Sequence, residues 1–437
     1  MVKFKKSTKN NVKFISSDDL YDKFIDKNSV LVKIHDSMDF DFYRDILKPY
    51  YFDFGRSPYD AIIMFKLCLI QTLKGGLSDR DVISQAKTNM EYRYFLDLSI
   101  DDELPHFTKL GTFRQRLGVD AFEELFYSFV KNLKTNNIIT DDELRFMDAT
   151  HQIADVTSIS INVLLSQACK KLLKEINEYS KTKCDIDLNK KDFQMTEDEK
   201  KKRFVELVEF ETVLKENANK LLHDIKSDSL KEAYDDICRI IKERSSVKDE
   251  EIVRNNSDDT GKLASLADKD ATWGAKSKDY TFLGYKHNVT TTESGFIEVI
   301  STHQGHIADE HMLKKDLQKI SGKKIVTDTK YGTFENRTHC KNIGKILVAP
   351  TKTNMKQHLK EKIMDDAFLY NKTERYKEEM KKRGSNVEGK FGHAKTKLGF
   401  RRAKYRGIEK VTVQGLITAF VINLKSVVRW FDSVSCV

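Results

Sequence analysis

Apolar and polar residues follow two different periods along this chain, and the change from one to the other marks out its organisation. The first 140 residues read as helices. Residues 1 to about 50 carry only short apolar clusters, with Ser16-Ser17-Asp18-Asp19 ahead of Leu20-Tyr21 as a helix N-cap. A strong helix follows Ser57-Pro58-Tyr59-Asp60 as Ala61-Ile62-Ile63-Met64-Phe65-Lys66-Leu67-Cys68-Leu69-Ile70, with proline near its first turn and Gly75-Gly76 closing it. Leu77-Ser78-Asp79-Arg80-Asp81 caps a second helix, which runs through Ala86. A third spans Lys109 to Gly118, and a fourth Ala121 to Leu133. Arg114 and Arg116 lie on the third helix, so these short helices predict a helix-turn-helix-like bundle.

No Gly or Pro occurs from Val119 to Thr260, which permits long uninterrupted helices beyond a first strand. Residues 161–254 hold 20 Lys and Arg against 21 Asp and Glu, interleaved with apolar residues at helical spacing, as in Phe204-Val205-Leu207-Val208. That predicts a helical hairpin or bundle with a solvated face; its near-neutral charge suits a spacer or a protein contact better than a phosphate contact. After a Ser/Asp-rich loop, Asn255 to Asp270, strands and helices alternate. Leu283 to Val289 and Gly295 to Ile300 predict a hairpin about Thr290 to Ser294. A helix over Ala308 to Ile320, a strand Lys324-Ile325-Val326-Thr327, a helix from Phe334 and a strand Lys345 to Ala349 follow. Leu144-Arg145-Phe146-Met147-Asp148-Ala149-Thr150 fits as the first strand of the same sheet, which the helical segment then interrupts. The last 80 residues return to helix.

Composition narrows the classes. The chain has 437 residues, enough for two or three domains, with only 19 Gly and 4 Pro, too few for a turn-dense all-β fold. With 26 Phe and 16 Tyr it can build real cores. Seventy-six Lys and Arg against 67 Asp and Glu give +9, which favours a polyanionic partner. The six cysteines (Cys68, Cys169, Cys184, Cys238, Cys340, Cys436) include no Cys-x-x-Cys pair, which argues against a zinc site or disulfide scaffold and for a reducing cytoplasm. The polar N-terminus leads into no secretory core, and the longest apolar stretch, Val411 to Leu424, is shorter than the ~18 residues of a membrane span, so no membrane function is expected.

The candidate chemistry is acidic. Asp148 follows the apolar end of the first strand and Asp328 directly follows Lys324 to Thr327, each at a strand end where ligands collect. Asp155, an odd step from Asp148, is expected on the other face. Glu388 lies in a helical segment with Lys395 two turns on and so on the same face, where a carboxylate and a cation could serve one phosphate site. Taken singly, each fits a solvated Asp at a strand end or a Glu on a helix better than a site residue. Residues 381–410 hold eleven Lys and Arg but only two acids, Glu388 and Glu409, an imbalance better explained by DNA phosphates than by a solvated face. His287, His303 and His306 have no zinc spacing and read as strand or loop polar residues, and Asp309 as an acid at a helix start.

Four blocks in order resemble bacterial insertion-sequence DDE transposases, with closest likeness to the IS-five type: Phe146 to Thr150, Phe282-Leu283-Gly284-Tyr285-Lys286, Val326-Thr327-Asp328-Thr329-Lys330-Tyr331-Gly332, and Val387-Glu388-Gly389-Lys390-Phe391-Gly392-His393-Ala394-Lys395. Leu398 to Gly407, the closing Thr418 to Leu424, and residues 57–135 resemble that family's tail and N-terminal domain. The resemblance implies an α/β fold with large helical parts: a helical DNA-binding domain (1–140), an RNase H-like mixed sheet flanked by helices (141–160 and 255–437), and a helical insertion (161–254). It implies that Asp148, Asp328 and Glu388 bind two Mg2+ ions, with Mn2+ able to substitute. Phosphodiester chemistry uses such a pair, ~3.5 to 4 Å apart, to activate the nucleophile and stabilise the leaving oxygen.

The implied activity is binding of transposon ends, strand cleavage and strand transfer. A catalytically silent DNA-binding derivative and a metal-dependent nuclease without strand transfer are the alternatives. Double-stranded DNA, both terminal repeats and target, is the implied partner, bound by a homodimer in the cytoplasm at the nucleoid. In the family a Tyr and an Arg precede the Glu by seven and four positions; here those positions are Lys381 and Gly384, with Arg383 one residue off register. Lys395 is therefore the stronger phosphate ligand, with Arg383, Lys397, Arg401 and Arg402 beside it and Arg114 and Arg116 in the N-terminal domain. Trp273 is open to two readings, stacking on a displaced base or, more commonly for such a residue, packing in a loop.

Overall fold

A computed structural model describes residues 16–51, 59–190, 192–248, 251–255, 260–277, 279–351 and 362–434. The chain divides into two compact units, Met1–Lys131 with Ile417–Val437, and Asn132–Leu416.

In the first unit the helices are α1 (Ser17–Phe24), α2 (Val30–Ser37), α3 (Arg44–Leu47), α4 (Ala61–Leu73), α5 (Asp79–Ala86), α6 (Met90–Phe95) and most of α7 (Thr108–Thr135). Sequence signals account for most of their ends. Ser16 and Asp19 form the reciprocal capping box on α1, and the Ser78 side chain caps α5. Asp60 caps α4, while Pro58, expected in its first turn, lies outside the described residues. Gly118, at φ 62, breaks α7 into the two helices that the sequence predicts. Phe420 stands at the centre of this unit, with its ring centroid 4.7 Å from Phe129 and 5.2 Å from Phe65. The end of the chain thus belongs with the N-terminal helices, whereas the sequence reading kept it with the sheet.

The second unit contains β1 (Arg145–Ile153), α8 (Ile161–Asn177), α9 (Glu197–Asp224), α10 (Asp228–Arg244), β2 (Ser245–Lys248), β3 (Glu251–Arg254), β4 (Thr272–Ser277), β5 (Tyr280–Thr292) and β6 (Ile297–Gln304). After these come α11 (Leu313–Asp316), β7 (Lys324–Val326), α12 (Phe334–Asn342), β8 (Ile346–Val348), α13 (Lys362–Tyr370), α14 (Glu374–Lys397) and α15 (Ile408–Val434), whose second half passes into the first unit. Six strands make one mixed sheet in the order β4-β5-β1-β7-β8, with β6 also on β5. β1 runs antiparallel to β5 and parallel to β7. One face carries Phe146, Val326 and Val348 against Val387 of α14; the other carries Met147 and Ile325 against Leu313, Leu317 and Cys340.

Gly284, in the second of the four blocks, has a structural reason. A Cβ there would lie 2.1 Å from the Gln152 carbonyl oxygen, so only glycine lets β5 close on β1. Residues 161–254 are largely helical, as expected: α8, α9 and α10 share a core of Leu165, Leu172, Leu207, Leu214 and Ile237. The β2–β3 hairpin at its end is a separate two-stranded sheet that the sequence reading missed. The helix expected over 308–320 is a short 3-10 turn, Asp309–His311, followed by α11; Met312, Leu313, Leu317 and Ile320 are all buried, so this broken path satisfies the apolar period. α15 exceeds the expected apolar run and is long and apolar enough to cross a membrane, but 78% of its most apolar window is buried within the protein.

The start of β1 is held by charge. Arg145 is fully buried, with Nε 2.6 Å from Glu298 Oε2 on β6, and Lys134 Nζ lies 2.5 Å from Glu298 Oε1. Arg145 also donates to the carbonyls of Thr140 and Glu143 and to Ser321 Oγ. Glu298→Ala should therefore cost about 3–5 kcal/mol in urea unfolding, because it strands a buried guanidinium, whereas replacing Arg145 and Glu298 together by Met should cost far less. Equal costs for the single and the double variant would show that packing, rather than charge, holds this corner.

Candidate active site

The parallel register of β1 and β7 sets the geometry. Arg145 pairs with Ile325 and Phe146 with Val326, and there the pairing ends. Asp148 and Asp328 each lie two residues past the pair Phe146–Val326, level on neighbouring strands that run in the same direction, for which the spacing is ~4.8 Å. Asp328 is at a strand end, as expected. Asp148 is not: β1 continues to Ile153, but with its β7 side open once β7 has stopped. Burial raises the pKa of Asp148 above the ordinary carboxylate value and the charge of Asp328 adds to the rise, while Arg383 and the Ala149 N–H oppose it.

Arg383 reaches this pair from α14, with Nη1 3.0 Å from Asp148 Oδ2. Its Nε is buried and has no hydrogen-bond partner. Asp328 caps a 3-10 turn, accepting from the Lys330 N–H, and the Lys330 ammonium lies 3.0 Å from Asp309. Asp309 is therefore not a simple helix-start acid. It is buried between Lys330 and Lys286, 2.9 Å away; burial pushes its pKa up, but the two ammonium groups outweigh that and hold it below the usual value.

Glu388 is placed by the orientation of α14. One side of that helix faces the N-terminal ends of the strands: Glu379 meets Lys324 at 2.8 Å, Lys382 meets Glu293 at 2.7 Å, and Asn386 donates to the Glu293 carbonyl. The opposite side carries Glu388 and, two turns on, Lys395, whose Nζ lies 3.5 Å from His151 Nδ1 on β1 beyond Asp148. Glu388 itself is exposed on that opposite side. The expected convergence of all three carboxylates is not present: among the described residues no group of three His, Cys, Asp or Glu side chains could hold a metal ion.

The donor chemistry of the pair nevertheless suits a divalent ion. Carboxylate oxygens are the ligands Mg2+ and Mn2+ take. A half-buried acid whose ionisation is opposed by burial and by a second carboxylate needs a cation beside it, the position Arg383 now fills.

Beyond the aspartates the charge changes sign. Burial, and then the charges of Lys276 and Arg401, lower the pKa of Lys395 to about 8. Burial and the charges of Lys395, Lys276, Arg401 and Lys286 lower that of His151 to about 4. Sequence reasoning picked out Lys395 and Arg401 but missed His151 and Lys276, since nothing local connects a histidine inside β1 with a lysine near the end of β4.

The other expected site residues divide. Lys397 and Arg401 are exposed, and Arg402 reaches toward Asp155 at 3.5 Å, a residue that Arg406 also meets at 3.4 Å. Arg114 is committed inside the first unit, with Nη2 2.5 Å from Asp79, which leaves its guanidinium little freedom for a phosphate. Arg116 is exposed and lies over the Tyr51 ring. Trp273 is on β4 and packs against the apolar cluster of Ala271, Leu283 and Tyr285, in keeping with its packing role. The three histidines are polar framework as expected: His287 is fully buried between Gln152 and Thr302, His303 bonds Ser301, and His306 bonds Thr272.

Comparison with known proteins bears on both ends of the chain. Residues 19–116 match the family described as Transposase domain (DUF772), and residues 311–428 match the family described as Transposase DDE domain. A curated relative, the transposase for insertion sequence element IS1106 of Neisseria meningitidis serogroup B, is 27% identical over 178 residues, covering 38% of this chain and 54% of the relative. The match thus spans about half the length of that relative. No solved structure matches. DDE domains generally work with divalent metal ions, which fits the two level aspartates. One transposase family is matched at each end of the chain, with Asp328, just past β7, inside the second; together with the IS1106 relative these matches support an insertion-sequence DDE transposase.

Proposed function

We propose that this transposase binds double-stranded DNA at the ends of its element and catalyses strand cleavage and strand transfer with divalent metal, Mg2+ or Mn2+, held by Asp148, Asp328 and Glu388. The observation that carries this reading is the level placement of Asp148 and Asp328 past the last β1–β7 pair, with Lys276, Lys395 and Arg401, which have no carboxylate partner among the described residues, further along β1. The sheet order, antiparallel from β5 to β1 and parallel from β1 through β7 to β8, supports an RNase H-like reading of the second unit.

When bound, a metal pair in such a site activates the attacking hydroxyl and stabilises the leaving oxygen. The residues of this chain do the rest. Arg383 neutralises Asp148 in the free protein and, having an unpartnered Nε, is suited to exchange that carboxylate for a DNA phosphate. Lys330, anchored by Asp309, supplies positive charge next to Asp328. Lys395 and Arg401 hold the backbone beside the reacting phosphate, with Lys397, Arg402 and Arg116 as further phosphate contacts. A silent DNA-binding derivative would retain the cations but has no use for two carboxylates level on adjacent strands.

Purified protein incubated with a linear duplex carrying the element's terminal repeats and Mg2+ tests this: nicked and joined products are expected, and nicks alone would favour a nuclease. Asp148→Asn should lower cleavage by more than ~100-fold, beyond what losing a supporting contact costs, while DNA affinity stays within about threefold. An Asp148→Asn protein that still cleaves would contradict the assignment.

Lys395 gives a second prediction. Its folded pKa, about 8, lies below the ordinary 10.5, so between these values the folded state holds fewer protons than the unfolded state and stability rises with pH. Lys395→Met should remove that rise and stabilise the protein at pH 7 by about 0.5–1 kcal/mol after solvent screening, a gain that comes with weaker DNA binding. Thermal unfolding across pH checks it; a destabilised Lys395→Met variant would mean the ammonium makes a structural bond.

A further inference from the structure

The β4 edge of the sheet holds an arrangement that neither the metal pair nor the basic tail explains. Pairing between β4 and β5 slips between Ala275 and Ser277, which leaves Lys276 at a bulge on an outer strand. Bulges re-aim side chains and are frequent beside active sites. Although Lys276 is exposed, it is close enough for its charge to act on both His151 and Lys395.

His151 is held in place by aromatic packing, its ring centroid 4.8 Å from Phe282 and 5.5 Å from Tyr280. Around it stand Lys395 from α14, Lys276 from β4, Lys286 from β5 and Arg401 from the segment after α14. Lys286 is taken by Asp309. Lys276, Lys395 and Arg401 have no carboxylate partner among the described residues. Three cations gathered around an imidazole repel one another; the pKa of Lys395 is lowered first by its burial and then by the charges of Lys276 and Arg401. Such a cluster suits an anion that comes from outside the chain.

We propose that His151, Lys276, Lys395 and Arg401 form a seat for one DNA backbone phosphate that flanks the phosphate at the aspartate pair, on the β4 side of the sheet. The inference rests on the DNA reading above and adds to it a contact surface on the bulged strand. His151 lies three residues past Asp148 on β1, about 10 Å at ~3.3 Å per residue and, by strand alternation, on the other face, so the seat takes a neighbouring phosphate at the open edge of β1 rather than the reacting one. A backbone phosphate carries no base identity, so the seat fixes the position of the strand without reading its sequence.

The test is fluorescence anisotropy of the full chain with a labelled terminal-repeat duplex and a scrambled duplex, each across a salt series. Lys276→Ala should weaken both about three- to tenfold and reduce the slope of log affinity against log salt by about one, while Lys276→Arg should retain the slope. Because Lys276 is exposed, its replacement leaves the fold intact, and unchanged thermal unfolding checks that. If Lys276→Ala leaves slope and affinity unchanged while Lys395→Ala lowers them, the seat is overturned and the DNA reading stands. If wild-type protein binds neither duplex, the DNA reading itself fails and the seat falls with it.

Discussion

The buried ion pair between Arg145 and Glu298 fixes where β1 begins, and the level placement of Asp148 with Asp328 follows from that. Arg145 is the first residue of the strand and is fully enclosed, so its charge requires the carboxylate of β6, the carbonyls of the preceding turn and Ser321 to be where they are. With the strand start pinned, Phe146 meets Val326 in parallel register and two aspartates arrive level two residues later. A slip of one residue would turn Asp148 to the opposite face, so the register is a condition of the chemistry.

The site then works by opposed charges held a short way apart along one strand. At Asp148 and Asp328, burial and a like charge make full ionisation costly without a cation, and Arg383 meets that need in the free protein. Further along β1, around His151, it is positive charge that is crowded, and apart from Lys286 these cations have no carboxylate partner among the described residues. On the proposed reading, DNA with divalent metal would satisfy both regions at once, with cations at the acids and phosphates at the lysines. Asp309 links the two, since it binds Lys330 on the acidic side and Lys286 on the basic side.

Much of this was legible in the sequence, for identifiable reasons. Short apolar runs ending in acid marked Phe146 to Asp148 and Lys324 to Asp328, and the absence of Gly and Pro foretold α8, α9 and α10. The extension of β1 to Ile153 was hidden because Asp148, His151 and Gln152 break the apolar pattern; that part of the strand is held by β5, more than a hundred residues away. β4 was missed because Thr272–Ser277 has little apolar alternation and gains its place from pairing alone. The role of Asp309 depends on Lys286 and Lys330, which no local pattern joins to it. The triad of Asp148, Asp328 and Glu388 came from family resemblance; strand register explains the first two, whereas Glu388 is exposed on α14 and is not gathered with them among the described residues.

Replacing Mg2+ by Fe2+ in the DNA complex, and generating hydroxyl radicals at the iron with ascorbate and peroxide, measures the metal's protein neighbours directly, because the backbone is cut next to the bound ion. The account predicts cuts in three segments, around Asp148, Asp328 and Glu388, all suppressed by excess Mg2+ and lost in Asp148→Asn. Cuts confined to other segments, or unchanged in that variant, would contradict it.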